Sequence, residues 1–160
     1  MKSLGYTTCE ERHLHQHLEA TMLNKIDHIG IAVRSIDDQM SLYRDAFGLE
    51  FEGIDVVEEQ GVRVAFFRLG EAMIELLEPL DDTGPIARFL DRHGEGIHHI
   101  AAGCEDIGEA RAHMSEHQIR LLSDEPLDGA HGKLITFMHP KDTGGVLFEL
   151  TQRKESEHED

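Results

Sequence analysis

The sequence has no tryptophan, four prolines and only two cysteines in 160 residues. Cys9 and Cys104 are too few for a disulfide framework and lack the paired spacing of a zinc knuckle, so the thiols point to a reducing compartment. Basic side chains are scarce as well. Fifteen Lys and Arg stand against 32 Asp and Glu, a formal net charge of −17 at pH 7. A field of that sign repels phosphate backbones and anionic headgroups, which excludes nucleic acid and membrane surfaces as general partners. No run approaches the ~20 apolar residues of a membrane span, and the opening MKSLGYTTCEERHLHQHLEA lacks the apolar stretch of a secretory signal. The G-x-G-x-x-G and G-x-x-x-x-G-K-[ST] motifs of dinucleotide and P-loop sites are also missing. A cytoplasmic protein is expected, and its 39% hydrophobic residues suffice for one core at this length.

What the chain does contain is a repeat. IDHIGIAVRSIDDQMSLYRDAFGLE (26–50) lies parallel to IHHIAAGCEDIGEARAHMSEHQIRLL (97–122). Each opens on an apolar, a polar, a His and an Ile residue, and runs into an acid-rich helix start. Ser35 with Asp38, and Asp106 with Glu109, have the spacing of a capping box. Ile36, Met40, Tyr43 and Phe47 then keep helical spacing, as do Ile107, Ala110 and Met114. Each half closes on a similar strand, AMIELLEP (72–79) and GVLFELTQ (145–152). Further strands are expected near 49–57 and 62–69, and in the second half near 119–123 and 133–138. Thr83-Gly84-Pro85 opens a linking helix over 85–93. The expectation is an α+β fold of tandem βαβββ modules (about 26–80 and 97–152), with two curved sheets sharing one core in a single domain, 23–152. Residues 1–22, with His13, His15 and His17 alternating, read as a disordered extension, and 153–160 as a polar tail.

Strand parity singles out four polar residues. His28 shares a face with Gly30 and Ala32, and His99 with Ala101 and Gly103, whose small side chains leave open space. The opposite face would take His98. Glu75 and Glu149 each sit inside an otherwise apolar strand, where an unpaired carboxylate costs several kcal/mol. The repeat brings His28 and Glu75 together with His99 and Glu149 across a pseudo-twofold axis. Two imidazoles and two carboxylates suit a divalent metal with positions left for water or substrate.

At these residues the chain resembles the methylmalonyl-CoA epimerases of the vicinal oxygen chelate (glyoxalase-like) superfamily. The likeness is carried by DHIGIAV, ELLEPL, IARFLDRHGEGIHHIA and FMHPKDTGGVLFELTQ, and spans about residues 24–152. It implies a divalent ion on His28, Glu75, His99 and Glu149, cobalt being favoured over zinc, nickel, manganese and magnesium. It also implies an acyl-CoA thioester substrate from propionate metabolism, a homodimer, and isomerase chemistry. A methylmalonyl thioester offers two oxygens in a 1,3 relation to one metal, and its C2 proton is already weakly acidic. Epimerisation then needs only proton carriers on two faces. Glu149 matches one such carrier. Where many bacterial relatives carry the other, a glutamate, this chain has Val64, so the second carrier is open between Glu75, a metal-bound water and some further residue. Gln60, the His131-Gly132 turn and Lys141 are further candidates for contacting substrate. The rival readings are a glyoxalase I-type lyase, an extradiol dioxygenase, and a metal-free small-molecule-binding module.

Overall fold

The computed structural model describes residues 21–154. The expected extension, apart from its last two residues, and the end of the polar tail lie outside the described residues. Eleven elements follow in order: β1 (Lys25–Ala32), α1 (Ile36–Met40), β2 (Glu50–Val57), β3 (Val62–Leu69), β4 (Ala72–Pro79), α2 (Pro85–His93), β5 (Gly96–Gly103), α3 (Ile107–Glu116), β6 (Leu127–Asp128), β7 (Lys133–Phe137) and β8 (Phe148–Arg153). Both halves read strand, helix, three strands.

The helix starts are set locally. Ser35 Oγ accepts from the Asp38 N–H at 3.2 Å, and Asp106 Oδ1 from the Glu109 N–H at 2.8 Å, each satisfying a donor that the helix leaves free. Pro85 occupies the first turn of α2, where its missing N–H costs nothing. α1 departs from regular spacing. It continues as a π-helical turn over Ser41–Ala46, and the Phe47 N–H bonds Leu42 O five residues back. The wider turn rotates Phe47 off the apolar stripe, leaving it 59% exposed, whereas Met40 and Tyr43 stay packed on the core.

The strands form one eight-stranded mixed sheet in the order β2-β3-β4-β1-β5-β8-β7-β6, not two separate sheets. β1 and β5 pair antiparallel at its centre, and each runs parallel to the last strand of its own module, β4 and β8. The register repeats too: Phe66 faces Glu75 across β3–β4, and Phe137 faces Glu149 across β7–β8.

The second module is the more irregular. The strand expected at 119–123 shrinks to a single bridge, Leu121 with Met138. The Arg111 guanidinium takes the Ser123 and Asp124 carbonyls that a ladder would have used, and Gln118 turns the chain at φ 62°. The last strand begins at Phe148 rather than 145, because Gly144 and Gly145 (φ 69° and 88°) build a turn closed by Gly145 N–H to Pro140 O at 2.8 Å.

Alternate residues divide between two faces. Val62, Val64, Phe66 and Leu77 join Ile86 and Leu90 of α2 on one. Ala65, Phe67, Ile74 and Leu76 pack on the other, under Ile36 of α1. Cys104, Ile107, Ala110, Met138 and Leu150 form the matching cluster under α3, against which Met22 and Leu23 also rest. Strands buried on both faces need apolar residues at consecutive positions, which is why β3 and β4 read as near-continuous apolar runs. Leu76 is fully buried beneath α1, so Leu76→Ala is expected to lower the free energy of unfolding by about 2–5 kcal/mol in a denaturant titration.

Candidate active site

The concave face of the sheet gathers His28 (β1), Glu75 (β4), His99 (β5) and Glu149 (β8), all buried. Register explains the convergence. Gly30 lies between Glu75 on β4 and His99 on β5, and a Cβ on Gly30 would overlap the His99 imidazole. Only a residue without a side chain lets the ring fold over β1. His28 Nε2 then comes within 3.0 Å of His99 Nε2. The Glu149 carboxylate closes the group, with Oε2 3.3 Å from His99 Nε2 and Oε1 3.7 Å from His28 Nε2. One donor atom from each of His28, His99 and Glu149 lies within 4.8 Å of the others. Glu75 stands on the far edge of the His28 ring, its Oε1 3.5 Å from Nδ1. Three of the four expected residues thus share one donor cluster, and the fourth adjoins it.

Burial sets the electrostatics. It pushes the Glu149 carboxyl up to about 7, and Glu149 Oε1 has no hydrogen-bond partner. Burial also drives His99 well below the ordinary imidazole value, helped by the neighbouring His28 and His98. Burial acts the same way on His28, but the Asp27 hydrogen bond and the Glu75 and Glu149 charges outweigh it and raise that ring. Asp27 itself is partly buried, which acts to raise it, yet hydrogen bonds from His28 and Lys133 hold it well below the carboxylate range.

The Asp27 contact also orients the ring. His28 Nδ1 lies 2.8 Å from Asp27 Oδ1, which places a proton there and leaves the Nε2 lone pair for the cluster. Lys133 Nζ, 2.5 Å from the same oxygen, completes a buried chain from β7 to β1.

His98 corrects the simple parity reading. Gly30 pairs with His99 but Ile31 with Ile97, so a bulge on β5 leaves His98 as the extra residue. Its side chain lines the cavity with its neighbour, Nδ1 2.9 Å from His99 Nδ1, and burial lowers it to about 4.

Above the cluster lies a cavity of about 360 Å³ with largely apolar walls, Val57, Val62 and Val64 from the first module and Leu127, Ile135 and Phe137 from the second. Gln60 lines it, and its Nε2 donates to Asp128 O at 2.9 Å, clasping the two modules. The other expected contact residues lie off the lining. His131 is exposed and stacks on Phe66 with ring centroids 3.8 Å apart, while Gly129 and Ala130 of that turn line the cavity in place of His131 and Gly132. Lys141 is exposed on a separate turn, its N–H donating to His139 Nδ1 at 3.1 Å. Asp27 and Lys133 were not singled out from sequence. The available signal was parity: Lys133 shares a face of β7 with Ile135 and Phe137.

A curled mixed sheet with a His/His/Glu donor group able to hold a metal ion on its concave face marks a glyoxalase-like class of protein. Consistently, the profile of the Glyoxalase/Bleomycin resistance protein/Dioxygenase superfamily matches residues 27–137. Among relatives, the ethylmalonyl-CoA/methylmalonyl-CoA epimerase of Cereibacter sphaeroides is 42% identical over 82% of this chain and 99% of its own. The mitochondrial methylmalonyl-CoA epimerase of Mus musculus is 40% identical over 81% and 74%. Of solved structures, a Streptomyces coelicolor methylmalonyl-CoA epimerase variant in complex with 2-nitronate-propionyl-CoA is 40% identical. It superposes with a TM-score of 0.80, covering 83% of this chain and 99% of that one. The chain belongs to that superfamily and, within it, to the methylmalonyl-CoA epimerase family of isomerases.

Gly30→Ala is expected to push the His99 ring out of the cluster and weaken divalent-ion binding at least tenfold, read by titration calorimetry on the chelator-stripped protein.

Proposed function

We propose that this chain interconverts the (2R) and (2S) forms of methylmalonyl-CoA by removing and returning the C2 proton. The observation that carries the reading is Glu149. It is buried, has an unpartnered oxygen, and stands at the floor of an apolar cavity between two imidazoles. A carboxylate so placed is in position to take a proton from a bound substrate and return it.

The donor set fits a divalent ion. A buried carboxylate oxygen without a partner and two facing ring nitrogens are groups that would be costly to leave so, and a cation satisfies all three. His28, His99 and Glu149 would hold it, with Glu75 the next carboxylate. When bound, such an ion supplies Lewis-acid stabilisation of charge developing on the thioester oxygen. Two imidazoles with carboxylates accept cobalt, zinc, nickel or manganese, and the resemblance favours cobalt.

The chain's own residues do the rest. Asp27 fixes the His28 tautomer, and Val64 and Ile135 give the cavity apolar walls on either side of the cluster. Glu149 receives the C2 proton. Gln60 and the Gly129–Ala130 turn flank the space left for substrate. The chemistry asks for a coenzyme A thioester as ligand, and a second copy of the chain and a cytoplasmic setting complete the proposal. Among the described residues no helix is long and apolar enough to cross a membrane.

Two measurements test this. In D₂O, methylmalonyl-CoA should exchange its C2 proton with inversion, and chelator treatment should abolish the exchange until a divalent ion is restored. Absence of exchange in the reloaded protein would remove the epimerase reading and favour a glyoxalase I-type lyase. Glu149→Gln should lower turnover about 10²–10⁴-fold, the typical contribution of a positioned base.

A further inference from the structure

Inversion at C2 needs a second group, able to return the proton to the side opposite Glu149. By the repeat, the positions of β3 and β7 that share a face with the two strand glutamates correspond. Phe66 and Phe137 lie opposite the two strand glutamates, Val64 and Ile135 come two residues earlier, and Val62 and Lys133 two earlier again. Of these six side chains only Lys133 carries a transferable proton.

The other titratable groups on the lining are accounted for. His28, Glu75, His99 and Glu149 make up the expected donor set, the His98 ring is engaged with His99, and Glu59 sits exposed on the turn at the rim. Lys133 is different. It is 7% exposed, the one buried lysine among the described residues, and it lines the cavity. A buried ammonium is costly unless paired. Its partner is Asp27 at 2.5 Å, which uses one of three N–H donors and tethers the side chain from the start of β7 across the bowl to β1. Its ammonium is therefore held through Asp27 on the Nδ1 side of the His28 ring, whereas Glu149 stands on the Nε2 side.

We propose that Lys133 is the second proton carrier, taking the place of the carboxylate that Val64 cannot supply. This deepens the epimerase reading and rests on it. In one direction the C2–H bond breaks and Glu149 takes the proton, while the electron pair moves into the thioester as an enolate. An N–H of the Lys133 ammonium then breaks, its proton joins C2 on the other face, and the enolate pair forms the new C–H bond. The enzyme is left with a carboxylic acid at Glu149 and an amine at Lys133, the state that inverts the opposite epimer and restores both groups.

The test pairs Lys133→Met with Lys133→Arg. The arginine keeps the charge that Asp27 needs but does not release a proton at working pH. Each variant is assayed for inversion and for deuterium uptake into each separate epimer, alongside a thermal melt and a divalent-ion titration. Both are expected to fold, to bind the ion, and to lose inversion at least 10²-fold. Each should still exchange C2 of the single epimer whose proton faces Glu149. Inversion within tenfold of the parent in either variant overturns the proposal. So does exchange lost from both epimers, and a loss of ion binding or folding that arginine repairs together with inversion would mark Lys133 as a brace for Asp27 instead. A parent protein that fails to invert would sink the epimerase reading itself, and this inference with it.

Discussion

The approach of two imidazoles and a carboxylate at the junction of β1 and β5 is the constraint on which the rest depends. His28 Nε2 and His99 Nε2 face one another at 3.0 Å with Glu149 against both, and nothing in the apolar surroundings would hold these groups there unaided. The contact exists because position 30 has no side chain. It also requires the modules to pair antiparallel through their first strands, since only that arrangement sets Gly30 beside His99 and Glu75 together. Burial then does the chemical tuning. The same desolvation that would destabilise an isolated carboxylate raises Glu149 to about 7.

A second layer of charge supports the first. Asp27 is adjacent to His28 in sequence, yet its other partner, Lys133, lies 106 residues away. The curl of the sheet lets β7 reach β1 and closes the bowl over the cluster. The ion pair there thus does two things at once, fixing which His28 nitrogen faces the cavity and placing an ammonium on its wall.

Much of this was legible beforehand, and for a physical reason. Period-2 alternation in β1 and β5 and lone carboxylates in apolar strands are local signals. A duplicated module maps each onto its counterpart, so the pattern alone sets His28, Glu75, His99 and Glu149 together. The failures have causes of another kind. His98 was assigned to the far face because parity assumes a regular ladder, and a bulge breaks it. Phe47 was placed on a helical stripe that a π-turn displaces. The strand at 119–123 is cut to one bridge, and a side chain from α3, Arg111, takes the Ser123 carbonyl at its end. His131 and Lys141 carry suggestive chemistry in glycine-rich turns, but turn residues have no parity to reveal which way they point.

The amino-acid sequence by itself determined the module, its duplication, the helix caps and the two His–Glu pairs His28/Glu75 and His99/Glu149, because propensity, periodicity and capping act over a few residues. Tertiary structure alone decided that the strands make one continuous sheet, that Glu75 stands beside the three-donor cluster rather than within it, and that Lys133 belongs to the cavity. Those outcomes follow from curvature, register and the cost of burying charge. All three depend on residues brought together from distant parts of the chain, and no local pattern encodes the distance between them.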